Sequence, residues 1–245
     1  KVGVMSNSTY QEAEALILDF GSVITLTMFE THHLSEKELG LPQGTLNWMG
    51  PFDPERDKLW TSMQRDEITE REYWITRSKE VGNLLGEDWN HMFDFISRAR
   101  GNNVEEIIRP EIIQMIKLIK SSGKKIAILS NELDLFFGKE NRERLNFMKE
   151  FDVIWDGTYY DFLKPDPRAY QACITKLGLV AEKCVFVDDQ NRNVLGAKKV
   201  GLQAIHLDVR EPQVAFNKAL ERLRINVQLK HVKPRIRSNY QGEET

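Results

Sequence analysis

The sequence has few cysteines, no long apolar run and little excess charge of either sign. Its two cysteines, Cys173 and Cys184, lie in apolar stretches and are expected to be buried thiols rather than a disulfide. The longest apolar stretches, such as residues 126–129, are far too short to span a bilayer. A net charge of -3 gives no strongly basic face, which makes nucleic acid an unexpected partner. We therefore expect a small-molecule substrate, with no nucleic acid and no membrane as partner.

The first eleven residues are polar and lack the apolar core of a secretory signal. Together with the reduced cysteines, this predicts a cytoplasmic protein. The chain has 245 residues, of which 41% are hydrophobic and 29% charged, an ordinary balance for a globular protein. The sequence leaves open whether two copies form a homodimer.

What the sequence does contain is a series of short apolar runs, each of which stops at polar residues. The first covers residues 15–18 and stops at Asp19. The later runs cover residues 125–129, 151–155, 183–187 and 201–206. Helical patterns lie between them, over residues 110–122, 167–177 and 191–200, and glycine follows each one. This alternation predicts an α/β fold with a Rossmann-like parallel sheet and helices on both faces.

One interval, residues 28–107, interrupts this pattern. It is rich in charge and tryptophan, and three of its segments have amphipathic helical patterns, at residues 55–63, 69–81 and 88–100. We interpret it as a helical cap inserted into the core, and the alternative is an independent helical domain. The core would then comprise residues 12–27 and 108–225, and residues 226–245 an extended tail. The cap is expected to close over Asp19, with Trp48 either in the cap's own core or against the substrate.

Polar residues follow four of the predicted strands and loops, where parallel sheets bind ligands. They are Asp19, Ser130 with Asn131, Lys164, and Asp188 with Asp189. Asp19 has the position of a carboxylate nucleophile. Ser130 offers a hydroxyl donor that Asn131 could assist, and Lys164 offers a fixed positive charge. Three carboxylates with one lysine leave an excess of negative charge that a divalent cation would relieve, and oxygen ligands suit Mg²⁺.

These motifs resemble those of the haloacid dehalogenase superfamily. The matching segments are residues 18–23, 128–131, 164–166 and 186–193, and the likeness covers roughly residues 15–208. The insertion has the position of that family's first-type cap. The resemblance implies a hydrolase with a covalent aspartyl intermediate on Asp19. It also implies that Asp19, the backbone carbonyl of Gly21 and Asp189 bind Mg²⁺ directly, while Asp188 pairs with Lys164.

One departure from the family pattern concerns Gly21. Most phosphatases of the superfamily carry a second aspartate there, which acts as general acid and base, and such help is worth roughly two to four orders of magnitude. The leading hypothesis is a Mg²⁺-dependent phosphatase on a small phosphorylated metabolite whose leaving group needs that acid least, such as a sugar 1-phosphate or an acyl phosphate.

Two other functions remain open at this point. One is a dehalogenase-like hydrolase that opens a carbon–halogen or strained carbon–nitrogen bond through an aspartyl ester. The dehalogenases lack the second aspartate too, but their fourth motif has no paired acids. The other is a non-catalytic binding protein on the same fold, against which the retention of Asp19, Lys164 and both aspartates argues.

Overall fold

The computed structural model describes residues 10–100, 104–230 and 232. Residues 1–9, which include most of the polar N-terminal segment, and most of the predicted tail, residues 231 and 233–245, lie outside this part. The chain forms two compact units. The described residues of the first are 10–24, 110–131 and 147–230, and those of the second are 25–100, 104–109, 132–146 and 232.

The first unit contains a five-stranded parallel sheet. Its strands are β1 (Ala15–Leu18), β2 (Lys125–Ser130), β3 (Val153–Asp156), β4 (Cys184–Asp188) and β5 (Gln203–His206). They lie in the order β3-β2-β1-β4-β5, and all four pairings are parallel. The predicted Rossmann-like α/β fold is therefore confirmed.

The described part of the chain contains ten α-helices. They are α1 (His32–Leu39), α2 (Lys58–Gln64), α3 (Glu70–Leu84), α4 (Met92–Arg100), α5 (Pro110–Ser121), α6 (Leu133–Phe136), α7 (Lys139–Arg144), α8 (Pro167–Leu177), α9 (Asn191–Lys199) and α10 (Pro212–Arg222). Helices α5, α8, α9 and α10 belong to the first unit, and the other six to the second. None of these helices has the length and apolar character required to cross a membrane.

Strand β1 lies at the centre of the sheet, and all four of its residues are buried. A strand covered on both faces by helices needs a continuous apolar run rather than an alternating one, which is what residues 15–18 provide. Leu18 is in register with Ile128 of β2 and Val187 of β4. The residues that follow these positions, including Asp19 and Asp188, therefore meet at the carboxyl edge of the sheet.

An aromatic core organises the second unit. Phe29 lies at its centre, with the rings of Trp48 and Trp60 at 5.7 and 5.4 Å between centroids. Trp48 is only 6% exposed. It therefore occupies the unit's own core, which was one of the two places expected for it. Phe136 of α6 also packs against this core, and this contact explains why residues 132–146 join the second unit although the sequence predicted them in the core domain.

Two side chains fix helix starts in the second unit. The Thr69 hydroxyl accepts from the Glu72 amide, and the Glu72 carboxylate accepts from the Thr69 amide, so α3 begins with a capping box. Asp57 caps α2 by accepting from the Trp60 amide. The Asp57 carboxylate is fully buried and also pairs with Arg77 at 2.6 Å. This buried pair was not foreseen, because its partners are twenty residues apart.

Candidate active site

Asp19 directly follows β1 and opens a tight turn over Phe20–Ile24. Its Oδ1 accepts a hydrogen bond of 2.8 Å from the Phe20 amide. Gly21, predicted to offer its carbonyl to a metal, lies within this turn. Its backbone (φ -63°, ψ 132°) is open to any residue, and a Cβ added there would meet no atom within 4 Å. Neither packing nor backbone conformation therefore requires glycine where the family usually has an acid.

Lys164 joins the two carboxylates at the sheet edge. Its Nζ lies 2.9 Å from Asp19 Oδ1 and 2.7 Å from Asp188 Oδ2, and the residue is 4% exposed. Burial alone would lower the pKa of Lys164, but the charges of Asp188 and Asp19 outweigh it and hold the pKa above its usual value. The ammonium group is thus a permanent positive charge shared between the two acids, as the sequence had predicted for Asp188.

Asn131 holds the main chain of Lys164 at two points. Its Oδ1 accepts from the Lys164 amide at 2.8 Å, and its Nδ2 donates to the Lys164 carbonyl at 3.1 Å. The sequence suggested a direct catalytic role for Asn131, whereas these bonds give it a positioning role that acts through Lys164. Ser130, at the end of β2, is buried, and among the described residues its hydroxyl has no hydrogen-bond partner, so it remains available to a ligand.

Asn193 is a member of the site that the sequence analysis missed. This buried residue in the first turn of α9 donates from Nδ2 to both oxygens of Asp188, at 3.2 and 3.1 Å. Asp188 Oδ1 also accepts from the Gln190 amide at 2.8 Å, and the Asn193 carbonyl accepts from the Tyr170 hydroxyl at 2.7 Å. The available signal was an asparagine on the face of α9 that otherwise buries Val194 and Ala197.

Three carboxylates meet in this unit. Each of Asp19, Asp188 and Asp189 has an oxygen within 4.8 Å of the others. Both oxygens of Asp188 are taken up by Lys164, Asn193 and a main-chain amide. Asp188 is therefore the member of this group whose oxygens are least available to a cation. Carboxylate oxygens at this spacing fit a hard divalent ion such as Mg²⁺.

The protonation of Asp19 reflects its surroundings. Burial raises the pKa of its carboxyl from 3.8 to about 6, against the attraction of Lys164 and with some help from the Asp188 charge. At neutral pH Asp19 is ionised, as a nucleophile must be. Among the described residues its Oδ2 accepts no hydrogen bond, whereas Oδ1 is held by Lys164 and the Phe20 amide. One oxygen is thus fixed and the other is left to react.

Comparison with known proteins agrees with this geometry. A family model described as haloacid dehalogenase-like hydrolase matches residues 13–201, which is more than half of the chain. Among curated proteins, the acyl-CoA dehydrogenase family member 10 of Mus musculus is 31% identical over 115 residues, 45% of this chain and 10% of that protein. The phosphoglycolate phosphatase of Aquifex aeolicus is 32% identical over 92 residues, 38% of this chain and 43% of that enzyme. The chain thus spans less than half the length of either relative.

A solved structure also shares the fold. The HAD-hydrolase YfnB of Bacillus subtilis, crystallised with magnesium, aligns with a TM-score of 0.58 at 16% identity, over 80% of this chain and 87% of that one. At this level of identity the likeness concerns the fold alone.

Proposed function

Because the chain belongs to the haloacid dehalogenase-like hydrolase family, we propose that it is a Mg²⁺-dependent phosphatase that acts on a small phosphorylated metabolite. The observation that carries this proposal is the meeting of three carboxylates within 4.8 Å beside a single lysine. Three carboxylates this close together repel one another, and a divalent cation would relieve that repulsion. A phosphoryl group, itself anionic, would need that cation as well.

Each residue has a distinct part in the proposed reaction. Asp19 Oδ2 attacks phosphorus, the bond from phosphorus to the leaving oxygen breaks, and an aspartyl phosphate forms. Lys164 keeps Asp19 oriented and neutralises charge beside it. The Ser130 hydroxyl donates to a phosphoryl oxygen. Water then attacks phosphorus and releases Asp19 and inorganic phosphate. Mg²⁺ held by Asp19 and Asp189, with Gly21 as a further ligand, would supply positive charge toward the phosphoryl oxygens.

Gly21 affects how the leaving group departs. With no carboxyl at this position, the departing oxygen receives no proton from residue 21, a contribution worth roughly two to four orders of magnitude in rate. The proposal therefore favours substrates whose leaving group departs as a stable anion, such as acyl phosphates or sugar 1-phosphates. Phosphoglycolate, the substrate named for the Aquifex relative, is an alkyl ester, so this chain's preference would differ from that enzyme's.

The test is a substrate panel with and without Mg²⁺. Acetyl phosphate, a sugar 1-phosphate, glycerol phosphate and 2-chloropropionate are each incubated with the protein, in Mg²⁺ or in excess chelator. We expect Mg²⁺-dependent phosphate release from the first two, and no release after Asp19→Asn. Asp161→Asn, which alters an exposed aspartate of the same unit, is the matched control and should retain full activity.

Three outcomes would contradict the proposal. Halide release in chelator would show a dehalogenase-like hydrolase instead. Turnover of no substrate, together with intact folding, would favour a binding protein. Unchanged phosphate release by Asp19→Asn would show that Asp19 is not the nucleophile.

A further inference from the structure

Tyr170 is a fully buried residue of α8 that has no part in the proposed reaction. Its hydroxyl donates to the main-chain carbonyl of Asn193 in α9 at 2.7 Å. Burial raises the pKa of this hydroxyl well above its usual value, so the group keeps its proton and remains a donor. Asn193 in turn donates to both oxygens of Asp188. Tyr170 is therefore linked to the candidate active site through one residue.

The orientation of the Asn193 side chain depends on the position of its main chain. An ionised carboxylate can only accept hydrogen bonds, so the amide nitrogen of Asn193 faces Asp188. The amide oxygen, Oδ1, is buried and has no hydrogen-bond partner among the described residues. Since no bond to Oδ1 holds the amide in place, the Tyr170 hydroxyl helps to fix the point from which Nδ2 reaches Asp188.

Gly196 allows α9 to approach Tyr170 closely enough for this bond. A Cβ at residue 196 would lie 2.9 Å from the Tyr170 hydroxyl oxygen and 2.8 Å from Pro165 Cβ, well inside normal contact distances. Alanine is the better helix former, but here it would have to push Tyr170 or Pro165 aside. The glycine therefore preserves the contact between the Tyr170 hydroxyl and α9.

The ring of Tyr170 makes a second contact that can be separated from that of the hydroxyl. It packs edge to face against Phe186 of β4, with 5.6 Å between the ring centroids. The Nζ atom of Lys164 lies 5.5 Å from the centroid of the Phe186 ring, which is a favourable position for a cation. Phenylalanine at residue 170 would keep this packing and would remove the hydroxyl alone.

We propose that Tyr170 is a positioning residue of the active site. Its hydroxyl holds the first turn of α9 where the Asn193 amide can bind the Asp188 carboxylate. Asp188 then keeps the Lys164 ammonium beside Asp19. The expected effect on turnover rests on the proposed phosphatase function, whereas the expected effect on the Asn193 amide does not.

The first arm of the test is steady-state kinetics of Tyr170→Phe in the complete protein, with acetyl phosphate and Mg²⁺. We expect kcat to fall about tenfold, the lower end of the range for groups that orient the ligands of a site, with KM nearly unchanged. A hydroxyl with a purely structural role would lower Tm and leave kcat as it is. Tyr160→Phe removes an exposed hydroxyl that accepts from Lys176 at 3.3 Å, and this matched control should keep full kcat.

A double variant tests the route through Asn193. If Tyr170 acts through the Asn193 amide, Tyr170→Phe has nothing left to disturb once residue 193 is alanine. The kcat of the double variant Tyr170→Phe, Asn193→Ala should then equal that of Asn193→Ala alone, within about twofold. Multiplication of the two separate losses would show that the residues act independently and would overturn the proposed route.

The second arm needs no turnover. Nuclear magnetic resonance of isotope-labelled protein records the side-chain amide of Asn193, which is identified by its loss from the spectrum of Asn193→Ala. In the unaltered protein its protons should exchange slowly with solvent, because they are buried against Asp188. In Tyr170→Phe the resonance should be displaced and its exchange should be faster. Gly196→Ala disturbs the same contact from α9 and should displace the same resonance.

An unchanged Asn193 resonance in Tyr170→Phe overturns the inference, and so does an unchanged kcat in a protein that is otherwise active. If the unaltered protein releases phosphate from no substrate, the proposed function fails. The resonance then still decides whether Tyr170 positions Asn193.

Discussion

Replacing Asp19 by asparagine is expected to abolish turnover and also to stabilise the folded chain. The amide has nearly the shape of the carboxylate but is a poor nucleophile, so phosphate release should fall by at least about a thousandfold. The gain in stability follows from burial. Asp19 carries its charge where solvent reaches only 13% of its side chain, and the charge of Lys164 does not fully offset that loss of solvation.

The size of the effect follows from the pKa. Burial raises the pKa of Asp19 from 3.8 to about 6. One pKa unit corresponds to about 1.4 kcal/mol, so holding this group ionised in the fold costs roughly 3 kcal/mol at pH values above 6. For a chain of this length, removing that cost from the free energy of unfolding should raise Tm by about 6 °C or more.

The difference in stability between Asp19→Asn and the unaltered protein depends on pH. A carboxyl whose pKa is raised by folding favours the folded state below its unfolded pKa, and loses that advantage as pH rises through about 6. Asparagine is neutral at every pH. The Tm of Asp19→Asn should therefore exceed that of the unaltered protein most above pH 6, less at pH 5, and not at all below about pH 4.

Thermal unfolding in chelator between pH 4 and 8 measures this difference directly. Asp161→Asn serves as control, since changes at exposed sites away from special contacts usually stay within about 0.5 kcal/mol. Added Mg²⁺ should narrow or reverse the difference, because a bound cation stabilises only the protein that retains the carboxylate. Equal or lower stability of Asp19→Asn at pH 8 would show that Lys164 outweighs burial, and the reasoning would be refuted.

Three further predictions concern neighbouring groups. Asp189→Ala is expected to weaken Mg²⁺ binding more than Asp188→Ala does, because hydrogen bonds already occupy both oxygens of Asp188; isothermal titration with Mg²⁺ measures both, and the reverse order would exchange their roles. Asn193→Ala should lower kcat about tenfold to a hundredfold with little change in KM, because it releases the Asp188 carboxylate; steady-state kinetics checks this, and a pure KM effect would contradict it. Burial raises the pKa of both Cys173 and Cys184 to about 12, so iodoacetamide at pH 8 should label neither thiol in the native protein and both after unfolding; mass spectrometry would reveal early labelling.

The core of the fold could be predicted from sequence because its strands are buried on both faces. Strand β4 was expected at residues 183–187 and is found at Cys184–Asp188. A strand that is buried on both faces of a parallel sheet needs a continuous apolar run, and the charged residues that follow mark where the strand ends. The capping box at the start of α3 is also encoded by a short segment, because the side chains of Thr69 and Glu72 each accept a hydrogen bond from the other residue's main-chain amide.

What the sequence could not provide depends on contacts between distant residues. Helix α1 (His32–Leu39) is mostly polar or charged, and such a segment becomes helical through tertiary packing rather than periodicity. Residues 132–146 join the second unit through Phe136, a contact that no local pattern encodes. For the same reason Asn193 was missed, because its role depends on how α9 presents its first turn to Asp188.

The central position of β1 has a consequence for biosynthesis. Its two neighbours in the sheet begin at Lys125 and Cys184, so β1 leaves the ribosome long before either partner exists. At about 5–20 residues per second, residue 125 follows residue 15 by roughly five seconds or more. During that interval four apolar residues lack a partner strand, and such unpaired edges promote aggregation. A nascent-chain chaperone that shields this segment is therefore expected to raise the yield of folded protein.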